Sequence, residues 1–452
     1  MVSASIVAVI GGGQLARMMQ EEASALGIRL RTLVEAADGS AAQVTVDAPV
    51  GRADDEAAVR RLVQGCGGRE GAAAAPRLQA AEPASVLTFE HEHQDSSLLA
   101  RLRAEGVSVQ PPPEALLLAR DKLAMRRALD RAFLPQPAWM EVSGSVEQMR
   151  RQVRDFAGKY SWPVVLKTPR GGYDGHGVLL VHGAEELVDG EAAQWIAAAG
   201  TASAGAAGAQ VDQADTAPRA GGGGSLGGGA VTSLLLEQAV AFTRELSVLL
   251  ARTPSGQVAA WPVTQTVQTG GMCAEVLAPA PRLSAEASAR AQRIGRTVAD
   301  RFGVTGVLAV ELFAVEHPGE PARLFVNELA MRPHNSGHWT QDGCATSQFA
   351  QHVRAVLDLP LGSTEPTAPA TVMVNLIGGA HQPGPDALRR AMALEPGARI
   401  HLYGKSHRPG RKLGHVNMTA GPGQDLQETL QRARAVVAIL RGDASAPAPD
   451  PR

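Results

Sequence analysis

The chain has 452 residues, 44% of them hydrophobic, and a formal net charge of −2 at pH 7. Such a length predicts two to four domains with cores of their own, and so small a net charge excludes a global field that would attract nucleic acid or a membrane surface. No apolar run reaches the roughly 18 residues that a membrane-spanning helix needs.

The cysteines and the first residues indicate the compartment. Cys66, Cys273 and Cys344 lie far apart without CxxC spacing, which argues against a disulfide framework or a structural zinc site and for a reducing environment. The sequence enters a strand-forming run without a basic leader or a cleavage site. We therefore expect a cytoplasmic protein with small-molecule substrates, and neither nucleic acid nor membrane as a partner.

Three runs at the start of the chain predict a β-α-β unit and hence a parallel sheet. Residues 6–10 are an apolar strand, residues 14–26 carry apolar side chains at helical spacing, and residues 30–34 are a second apolar strand. The glycines between the first strand and the helix predict an anion site at the helix N-terminus. A sugar phosphate would suit that site as well as a pyrophosphate would.

The same turn matches another pattern. Gly11-x-Gly13-x-x-Ala16, with Glu35 near the expected acidic position, fits the dinucleotide-binding fingerprint. A dinucleotide-dependent oxidoreductase is therefore an alternative interpretation of the N-terminal region.

A third strand, residues 85–89, ends in the polar run Glu-His-Glu-His at 90–93. Open α/β sheets bind ligands at the carboxyl ends of their strands, so this run predicts polar substrate contacts. A metal site and a solvated strand end are the alternatives. Three prolines at 111–113 then mark a domain boundary, and residues 116–132 predict one amphipathic helix whose many charges form a solvated face.

Residues 163–178 carry the strongest local signal in the chain. The apolar strand 164–166 leads to Lys167. The loop that follows holds Arg170 and four glycines, at 171, 172, 175 and 177. Glycine backbone approaches a ligand closely and presents N–H groups to phosphate oxygens. The loop is therefore predicted to bind phosphate, with a purely structural hairpin as the alternative.

The next region changes in composition. Residues 184–199 predict a helix, and the Ala- and Gly-rich stretch up to 229 predicts a mobile insertion that buries too little apolar surface to fold. Ordered structure resumes with predicted strands and a helix at 233–238, 245–251, 257–263 and 285–302.

A hairpin at 307–315 and 324–329 predicts a pair of facing carboxylates. If Val315 pairs with Leu324, antiparallel register places Glu311 directly opposite Glu328, with Cβ atoms roughly 4.5–5.5 Å apart. Two such carboxylates repel each other unless a cation lies between them, and magnesium suits a pair of carboxylates that also meets substrate phosphates. The alternative is one exposed and one salt-bridged glutamate.

The C-terminal third holds two further polar stretches. Residues 330–340 are dense in hydrogen-bonding groups and predict a site loop before a helix at 348–357. A small β unit begins at 370–377, and its basic turn predicts an anion cradle formed by Lys405, Arg408, Arg411 and Lys412. Nucleic-acid binding is the alternative for so compact a basic patch.

Taken together, the motifs resemble the ATP-grasp superfamily, and three long strings are similar to its N5-carboxyaminoimidazole ribonucleotide synthetase family. The strings are 170–175 (Arg-Gly-Gly-Tyr-Asp-Gly), 327–341 (from Asn-Glu-Leu-Ala to Trp-Thr-Gln) and 408–415 (Arg-Pro-Gly-Arg-Lys-Leu-Gly-His). The resemblance runs from residue 6 to about residue 440 and omits only the insertion.

The resemblance implies an α/β and α+β architecture. We expect an N-terminal parallel-sheet domain at 1–112, a two-lobed ATP-grasp core at 113–365 with a mobile insertion at 183–229, a β-rich domain at 366–441 and a disordered tail at 442–452.

The implied activity is a ligase reaction in purine biosynthesis. ATP and bicarbonate would form carboxyphosphate, which would N-carboxylate 5-aminoimidazole ribonucleotide. Magnesium would be the metal, with manganese as the alternative, and no biotin would be needed. The family also implies a homodimer. Another ATP-grasp carboxylate-amine ligase, the oxidoreductase named above and a non-catalytic nucleotide-binding regulator are the rivals.

The resemblance also implies roles for individual positions. Glu311 and Glu328 would bind the metal, and Asp174, His334 and Lys167 would act in catalysis. ATP would contact Arg120, Lys167, Gly172, Tyr173, Asp174, Gly175, His176, Gly177, Val178, Glu237, Gln238, Ala239, Val240, Glu245, Gln268, Asn327 and Glu328. The ribonucleotide would contact Gly13, Gln14, Leu15, Glu90, Tyr173, Asp174, His334, Asn335, Lys405, Arg408, Arg411 and Lys412.

Two positions depart from the family pattern. His176 stands where members commonly have Arg or Lys, and a neutral imidazole would weaken a substrate or phosphate contact. Gln268 stands where a histidine is common, although its amide still donates a hydrogen bond.

Overall fold

The structure, a computed structural model, describes residues 5–65, 82–172, 177–206 and 232–443. Within these ranges the chain builds three β-sheets with helices packed around them. The described residues exclude Cys66, the run 173–176, residues 207–229 of the predicted insertion and residues 444–452 of the predicted tail.

The N-terminal region is a parallel sheet in the order β2-β1-β3, which confirms the predicted β-α-β opening. The first strand lies in the core, and every one of its residues is buried. The elements are β1 Ile6–Ile10, α1 Gln14–Ala25, β2 Arg29–Leu33, α2 Glu56–Gln64, β3 Val86–Phe89 and α3 Ser96–Ala104.

The middle region contains an antiparallel sheet in the order β4-β7-β5-β6. Its apolar cluster is separate from the one that the N-terminal sheet shares with the large sheet. The elements are α4 Pro113–Arg120, α5 Lys122–Arg131, β4 Trp139–Ser143, α6 Val146–Tyr160, β5 Val164–Lys167, β6 Val178–Val181, a 3₁₀ helix Ala184–Leu187, α7 Glu191–Ala206 and β7 Ser233–Gln238.

The predicted single helix at 116–132 is wrong, because the chain forms two helices that meet at Asp121. Asp121 is extended, and its side chain accepts a hydrogen bond from the Ala124 N–H at 2.9 Å. An N-cap of this kind satisfies an otherwise unpaired donor of the second helix. The predicted solvated face is also wrong in part, since Lys122 and Arg126 are buried.

The largest sheet has nine strands and continues into the C-terminal region. Its order is β13-β12-β8-β10-β11-β14-β16-β15, with β9 beside β8. The elements are β8 Arg244–Arg252, β9 Val258–Ala260, β10 Thr264–Thr269, β11 Met272–Ala278, α8 Ala285–Arg301, β12 Gly306–Val315, β13 Arg323–Ala330, a 3₁₀ helix Asn335–Gly337, α9 Thr340–Gly343, α10 Gln348–Val356, β14 Ala370–Ile377, α11 Pro385–Leu394, β15 Arg399–Leu402, β16 Lys412–Ala420 and α12 Leu426–Arg441.

Two details of this sheet bear on the predictions. The strand predicted at 257–263 is shorter, and Pro262, which cannot donate to a ladder, follows its end closely. The strands of the predicted C-terminal β unit continue the large sheet, because β14 pairs with β11. The proposed domain boundaries themselves stay a prediction.

The hairpin of β12 and β13 confirms the predicted pairing of Glu311 with Glu328. The expected register at the turn is wrong by one residue, since Val315 pairs with Arg323. A β-bulge between Glu311 and Leu312 shifts the register and brings the two glutamates opposite each other.

The described helices and cysteines bear on membrane insertion and on thiol chemistry. No helix among them is long and apolar enough to cross a bilayer. Cys273 and Cys344 are buried free thiols, and burial raises the pKa of Cys273 to about 12.

Candidate active site

A cavity of about 820 Å³ lies between the four-stranded sheet and the large sheet. The ends of β5 and β7 form one wall, and β8, β12 and β13 form the other. Sixteen of the predicted site residues line it: Arg120, Lys167, Gly172, Val178, Glu237, Gln238, Ala239, Val240, Glu245, Gln268, Glu311, Asn327, Glu328, His334, Asn335 and Lys412.

The first wall holds a buried carboxylate between two buried cations. The Glu237 carboxylate lies 2.9 Å from Lys167 Nζ and 2.6 Å from Arg126 Nε. Burial alone would raise the pKa of Glu237, but the charges of Lys167 and Arg126 outweigh it and lower that pKa to about 2. The carboxylate is therefore ionised and already neutralised by its neighbours.

Arg126 also joins this wall to the opposite one. Its guanidinium donates to the Val326 carbonyl at 2.8 Å and to the Asn327 carbonyl at 3.0 Å. Lys167 Nζ donates to Asn327 Oδ1 at 3.3 Å. Arg126 and Lys167 thereby hold the end of β7 against β13 at the base of the cavity.

The second wall holds the facing carboxylates of Glu311 and Glu328. Burial raises the pKa of Glu311 to about 8, and the negative charges of Glu328 and Glu245 add to the shift. Burial would also raise the pKa of Glu328, but Lys122 and Lys167 lower it below its usual value. Lys122 Nζ lies 3.1 Å from Glu328 Oε1. One carboxylate of the pair therefore has a cation partner, whereas Glu311 lacks sufficient positive charge.

His334 stands beside the undercompensated carboxylate. Its Nε2 lies 3.3 Å from Glu311 Oε1, and its Nδ1 lies 2.9 Å from Ser336 Oγ. Burial, followed by the charges of Arg332 and Lys412, lowers the pKa of His334 to about 3. The imidazole is therefore neutral at physiological pH.

Lys122 is a cavity residue that sequence reasoning missed. Arg120, the predicted nucleotide contact two residues earlier, also lines the cavity, but its guanidinium donates to the Gln94 carbonyl and, at 3.1 Å, to Ser96 Oγ. The available signal was Asp121, a residue type that favours the start of a new helix. Starting α5 there turns Lys122 and Arg126 inward.

The base of the glycine-rich loop is a hairpin. Lys167 pairs with Val178, and Thr168 donates its N–H to the Gly177 carbonyl at 3.0 Å. Gly177 has a φ of +72°, and an added Cβ would collide with the Thr168 side chain, so glycine is required there. The predicted contacts Tyr173, Asp174, Gly175 and His176 lie outside the described residues.

The hinge end of the cavity contains an aromatic pair that was also missed. The rings of Phe242 and Phe313 are stacked with centroids 4.6 Å apart, and both residues line the cavity next to the predicted hinge 237–240. Burial raises the pKa of Glu245 at the same end. An apolar face beside polar groups suits a flat heterocycle.

A second polar group forms where β1 and β3 end. The Glu90 carboxylate accepts hydrogen bonds from the Gly13 N–H and, at 3.0 Å, from the Leu15 N–H. Burial is the main reason why the pKa of Glu90 is raised. Lys405 Nζ donates to Gln14 Oε1. A carboxylate of the chain itself thus occupies the helix N-terminus that was predicted to bind a phosphate.

The predicted basic cradle is spread over a larger area. Lys412 lines the main cavity, Lys405 lies beside α1, Arg411 donates to Ser406 Oγ at 2.7 Å and Arg408 is exposed. The ion pair of Glu92 with Arg332, at 2.8 Å, links the end of β3 to the site loop after β13. These contacts place the Glu90 group next to the loop that carries His334.

The arrangement is suited to phosphoryl transfer. Cations and a pair of opposed carboxylates line the same cavity, a combination that suits phosphate groups and magnesium. The cavity is within the range of volumes typical of small-molecule sites.

Three family models match consecutive parts of the chain. The model described as "Ribonucleotide synthetase preATP-grasp domain" matches residues 4–67, "ATP-grasp domain" matches residues 127–349, and "Phosphoribosylaminoimidazole carboxylase C-terminal domain" matches residues 371–429.

Characterised relatives are similar over nearly the whole chain. The N5-carboxyaminoimidazole ribonucleotide synthase of Mycobacterium tuberculosis is 43% identical over 433 residues, which are 95% of this chain and 86% of the relative. The crystal structure of the Thermus thermophilus synthetase has a TM-score of 0.73 at 32% identity and covers 97% of this chain and 99% of its own. The Aspergillus clavatus synthase in complex with ADP and 5-aminoimidazole ribonucleotide has a TM-score of 0.75 at 28% identity, with 97% and 99% covered. The chain therefore belongs to the N5-carboxyaminoimidazole ribonucleotide synthase family of ATP-grasp ligases.

Proposed function

We propose that this chain converts 5-aminoimidazole ribonucleotide, ATP and bicarbonate into N5-carboxyaminoimidazole ribonucleotide, ADP and phosphate. As a member of its family, the chain is an ATP-dependent ligase of purine biosynthesis that forms a carbon–nitrogen bond. The proposal adds the co-substrate bicarbonate, the intermediate carboxyphosphate, the metal and the roles of individual residues.

The observation that carries the proposal is the charge arrangement of the cavity. Lys167 and Lys122 face a volume of about 820 Å³ next to the opposed Glu311 and Glu328. The half-buried Glu311 carboxylate, whose pKa is raised to about 8, favours a cation nearby. Neither a dinucleotide oxidoreductase nor a binding module needs that pair.

Magnesium fits the two carboxylates, and manganese is the alternative metal. Hard oxygen ligands supplied by one or two carboxylates and completed by substrate phosphates are the usual environment of magnesium. Glu311 and Glu328 would hold the ion, which when bound would neutralise charge on the transferred phosphoryl group. Asn327, adjacent to Glu328 and hydrogen-bonded to Lys167, would lie beside the phosphates.

ATP would lie along the cavity between the two walls. Its phosphates would meet Lys167 and the loop residues Gly172 and Val178, with Arg120 or Lys122 as a further cation. Its adenine would lie at the hinge 237–240 against Phe242, and its ribose hydroxyls would meet Glu245. Gln268, which also lines the cavity, would donate an amide hydrogen bond near the nucleotide.

The ribonucleotide would occupy the space between the cavity and the Glu90 group. Lys405 and Lys412 would attract its phosphate, and His334 and Asn335 would lie near its imidazole. Glu90 would orient Gln14 and the turn before α1 rather than meet the phosphate, because a carboxylate repels it. Tyr173 and Asp174, outside the described residues, remain proposed contacts from the family resemblance.

The chemistry follows in two balanced steps. A bicarbonate oxygen attacks the γ-phosphorus of ATP, the bond from that phosphorus to the β-bridging oxygen breaks, and ADP leaves with carboxyphosphate formed. The substrate amine then attacks the carboxyl carbon of carboxyphosphate, and inorganic phosphate leaves. Alternatively, carboxyphosphate first breaks down to inorganic phosphate and carbon dioxide in the site, and the amine attacks the carbon dioxide. Lys167 stabilises the charge that develops in the first step, and exclusion of water keeps the intermediate from hydrolysis. No biotin is required, since the carboxyl group passes within one site.

The amine must lose a proton when it becomes a carbamate. His334 and Asp174 are the proposed acceptors. With its pKa lowered to about 3, the neutral His334 holds a proton poorly before substrates bind. The negative phosphates that enter the cavity would raise that pKa, because nearby negative charge favours the imidazolium.

The test measures ADP release by the purified protein with ATP, magnesium, bicarbonate and 5-aminoimidazole ribonucleotide, each omitted in turn. We expect release to require both bicarbonate and the ribonucleotide, and ¹³C-bicarbonate to yield a carbamate signal. ADP release that is independent of the ribonucleotide would refute the assignment. Release that requires a different amine would favour another ATP-grasp amine ligase.

The family resemblance also leads us to propose a homodimer in the cytoplasm. Sedimentation of the purified chain tests the first of these statements, and a single-chain mass would contradict it.

A further inference from the structure

A glutamine outside the cavity holds the loop that carries His334. Gln348 is the first residue of α10 and is completely buried. Its amide oxygen accepts the His334 N–H at 2.8 Å, and its amide nitrogen donates to the His334 carbonyl at 2.8 Å. One side chain therefore satisfies both backbone groups of a single residue, in the manner of a neighbouring strand.

The same amide reaches the other end of the loop. Gln348 Nε2 donates to His338 Nδ1 at 2.8 Å, and the Gln348 N–H donates to Thr340 Oγ1 at 2.9 Å. Gly337 approaches so closely that an added Cβ would collide with the Gln348 amide. The turn from 334 to 340 is therefore wrapped around one buried side chain.

The ring of His334 is held from a second side. Its Nδ1 contacts Ser336 Oγ at 2.9 Å, and Ser336 Oγ contacts Ser247 Oγ of β8 at 2.7 Å. Ser247 is the strand partner of Glu311. With backbone and ring both fixed, Nε2 points to Glu311 and the cavity.

We propose that Gln348 is a positioning residue for the carboxylation reaction, acting through the backbone of His334. This inference rests on the proposed function above. Gln348 does not line the cavity within the described part of the chain, so it acts on the reacting groups only through the loop. A displacement of about 1 Å at a reacting group lowers a rate by roughly 100-fold, so the hydrogen bonds to His334 matter for turnover more than for ATP binding.

The same helix supplies a matched control. Gln351 is also completely buried, and its amide makes the same two-point contact with a backbone, donating to the Gly362 carbonyl at 2.8 Å and accepting the Gly362 N–H at 2.7 Å. Gly362 lies in the connection from α10 to β14 and is not one of the described residues that line the cavity. Gln348 and Gln351 share their type, their burial and their two-point contact with a backbone, and they differ in which segment they hold and in the further bond from Gln348 to His338 Nδ1.

The experiment compares Gln348→Leu with Gln351→Leu in the full chain. Both substitutions remove two contacts with a backbone, and Gln348→Leu also removes the bond to His338 Nδ1, so both variants should lose stability and Gln348→Leu somewhat more. Gln348→Leu is expected to lower kcat about 10- to 100-fold with little change in the KM for ATP, whereas Gln351→Leu keeps kcat near the wild-type value. Equal kcat values for the two folded variants would overturn the proposal.

A double-mutant cycle tests whether the effect passes through His334. If it does, Gln348→Leu lowers kcat much less in a His334→Ala background than in the wild type. If the kcat losses of Gln348→Leu and His334→Ala simply multiply in the double variant, the effect of Gln348 does not pass through His334. Gln348→Glu serves if the leucine variant does not fold, because it keeps the acceptor for the His334 N–H and loses both donated bonds.

A spectroscopic measurement decides the inference separately from the proposed function. In protein with ¹⁵N-labelled histidine, the His334 ring signals, identified by their loss in His334→Ala, should shift in Gln348→Glu and stay in place in Gln351→Leu. Unchanged signals would overturn the positioning role even in an active enzyme. A wild-type protein without ribonucleotide-dependent ADP release would instead refute the proposed function, whatever the spectra show.

Discussion

Glu237 is buried and Glu311 is half-buried, and the two glutamates face the cavity from opposite walls with opposite shifts in pKa. Lys167 and Arg126 lower the pKa of Glu237 to about 2 against the effect of burial. Burial and two neighbouring carboxylates raise the pKa of Glu311 to about 8. The sign of the shift thus follows the neighbouring charges rather than the depth of burial.

The difference separates structure from function. The wall of Glu237 is neutralised by its own side chains, so it holds the sheets together without any ligand. On the wall of Glu311, Lys122 pairs with Glu328, but the charges of Lys412 and Arg332 do not offset the burial of Glu311 and its neighbouring carboxylates, so a cation beside Glu311 would be favourable. Substitutions that treat the two glutamates alike should therefore have different results.

The largest expected effect follows substitution on the uncompensated wall. Glu311→Gln should lower ATP turnover at least about 100-fold, because the site loses charge that holds the metal on the transferred phosphoryl group. In metal-free buffer its melting temperature should equal or exceed that of the wild type, since burial and the neighbouring carboxylates disfavour an ionised Glu311. Steady-state ADP release and calorimetry measure the two quantities.

Glu328→Gln is the companion variant for that test. It should lower turnover comparably, but it also removes the partner of Lys122 and is expected to lose some stability. Near-normal turnover of either variant with magnesium would remove the metal assignment.

Substitution of Glu237, on the wall whose charges neutralise each other, should lower the free energy of unfolding. Glu237→Gln leaves Lys167 and Arg126 charged and buried without their common partner, which costs about 3–5 kcal/mol of unfolding free energy. Urea denaturation measures the loss. Glu275→Gln is the matched control, because Glu275 pairs with Arg434 at 2.6 Å and that arginine side chain is 43% exposed. If Glu237→Gln and Glu275→Gln lose equal stability, the ion pairs of Glu237 do not hold the sheets together as inferred.

The contrast between the walls was only half visible in the sequence. The Glu311 and Glu328 pair could be predicted, because strand alternation and a short turn determine which residues face each other. The prediction reached the right pair from a wrong turn register, since the bulge after Glu311 compensates for the error. A bulge depends on the packing of the whole sheet and has no local signature here.

The other wall could not be predicted, because its charges come from separate elements. Arg126 lies on α5, and Glu237 lies near the end of β7, more than a hundred residues later. Helical periodicity shows which residues share a face, but it does not show whether that face meets water or another sheet. The Gln348 contacts were missed for the same reason, as one buried amide binds a loop that precedes it.

A smaller effect should identify which cation serves the nucleotide. Lys122→Met removes the ammonium group beside Glu328 and should weaken ATP binding about 10-fold, or roughly 1.4 kcal/mol. Arg120→Met should weaken it less, because the Arg120 guanidinium already donates to Gln94 and Ser96. Titration calorimetry with ATP and magnesium measures both. A larger loss for Arg120→Met would restore the assignment made from the family resemblance.

The smallest effect isolates burial from neighbouring charge. His352 is completely buried on α10, where its Nδ1 accepts the Val307 N–H at 3.1 Å and its Nε2 contacts Thr88 Oγ1 at 2.9 Å. Burial alone lowers the pKa of His352 to about 3 from its usual value of 6.5. Below pH 6.5 the unfolded chain therefore gains a proton that the folded chain refuses, and stability falls by up to about 1.4 kcal/mol for each pH unit.

His352→Gln should consequently be less stable than the wild type at pH 7 but lose stability less steeply between pH 6.5 and 5. Unfolding free energies from urea titrations at several pH values give the two slopes. The exposed His317 in the turn between β12 and β13 provides the matched substitution, and His317→Gln should keep the wild-type slope. If His352→Gln keeps the wild-type change of unfolding free energy with pH, burial does not determine the titration of His352. The opposite pKa shifts of Glu237 and Glu311 would then need a cause other than the balance of burial and neighbouring charge.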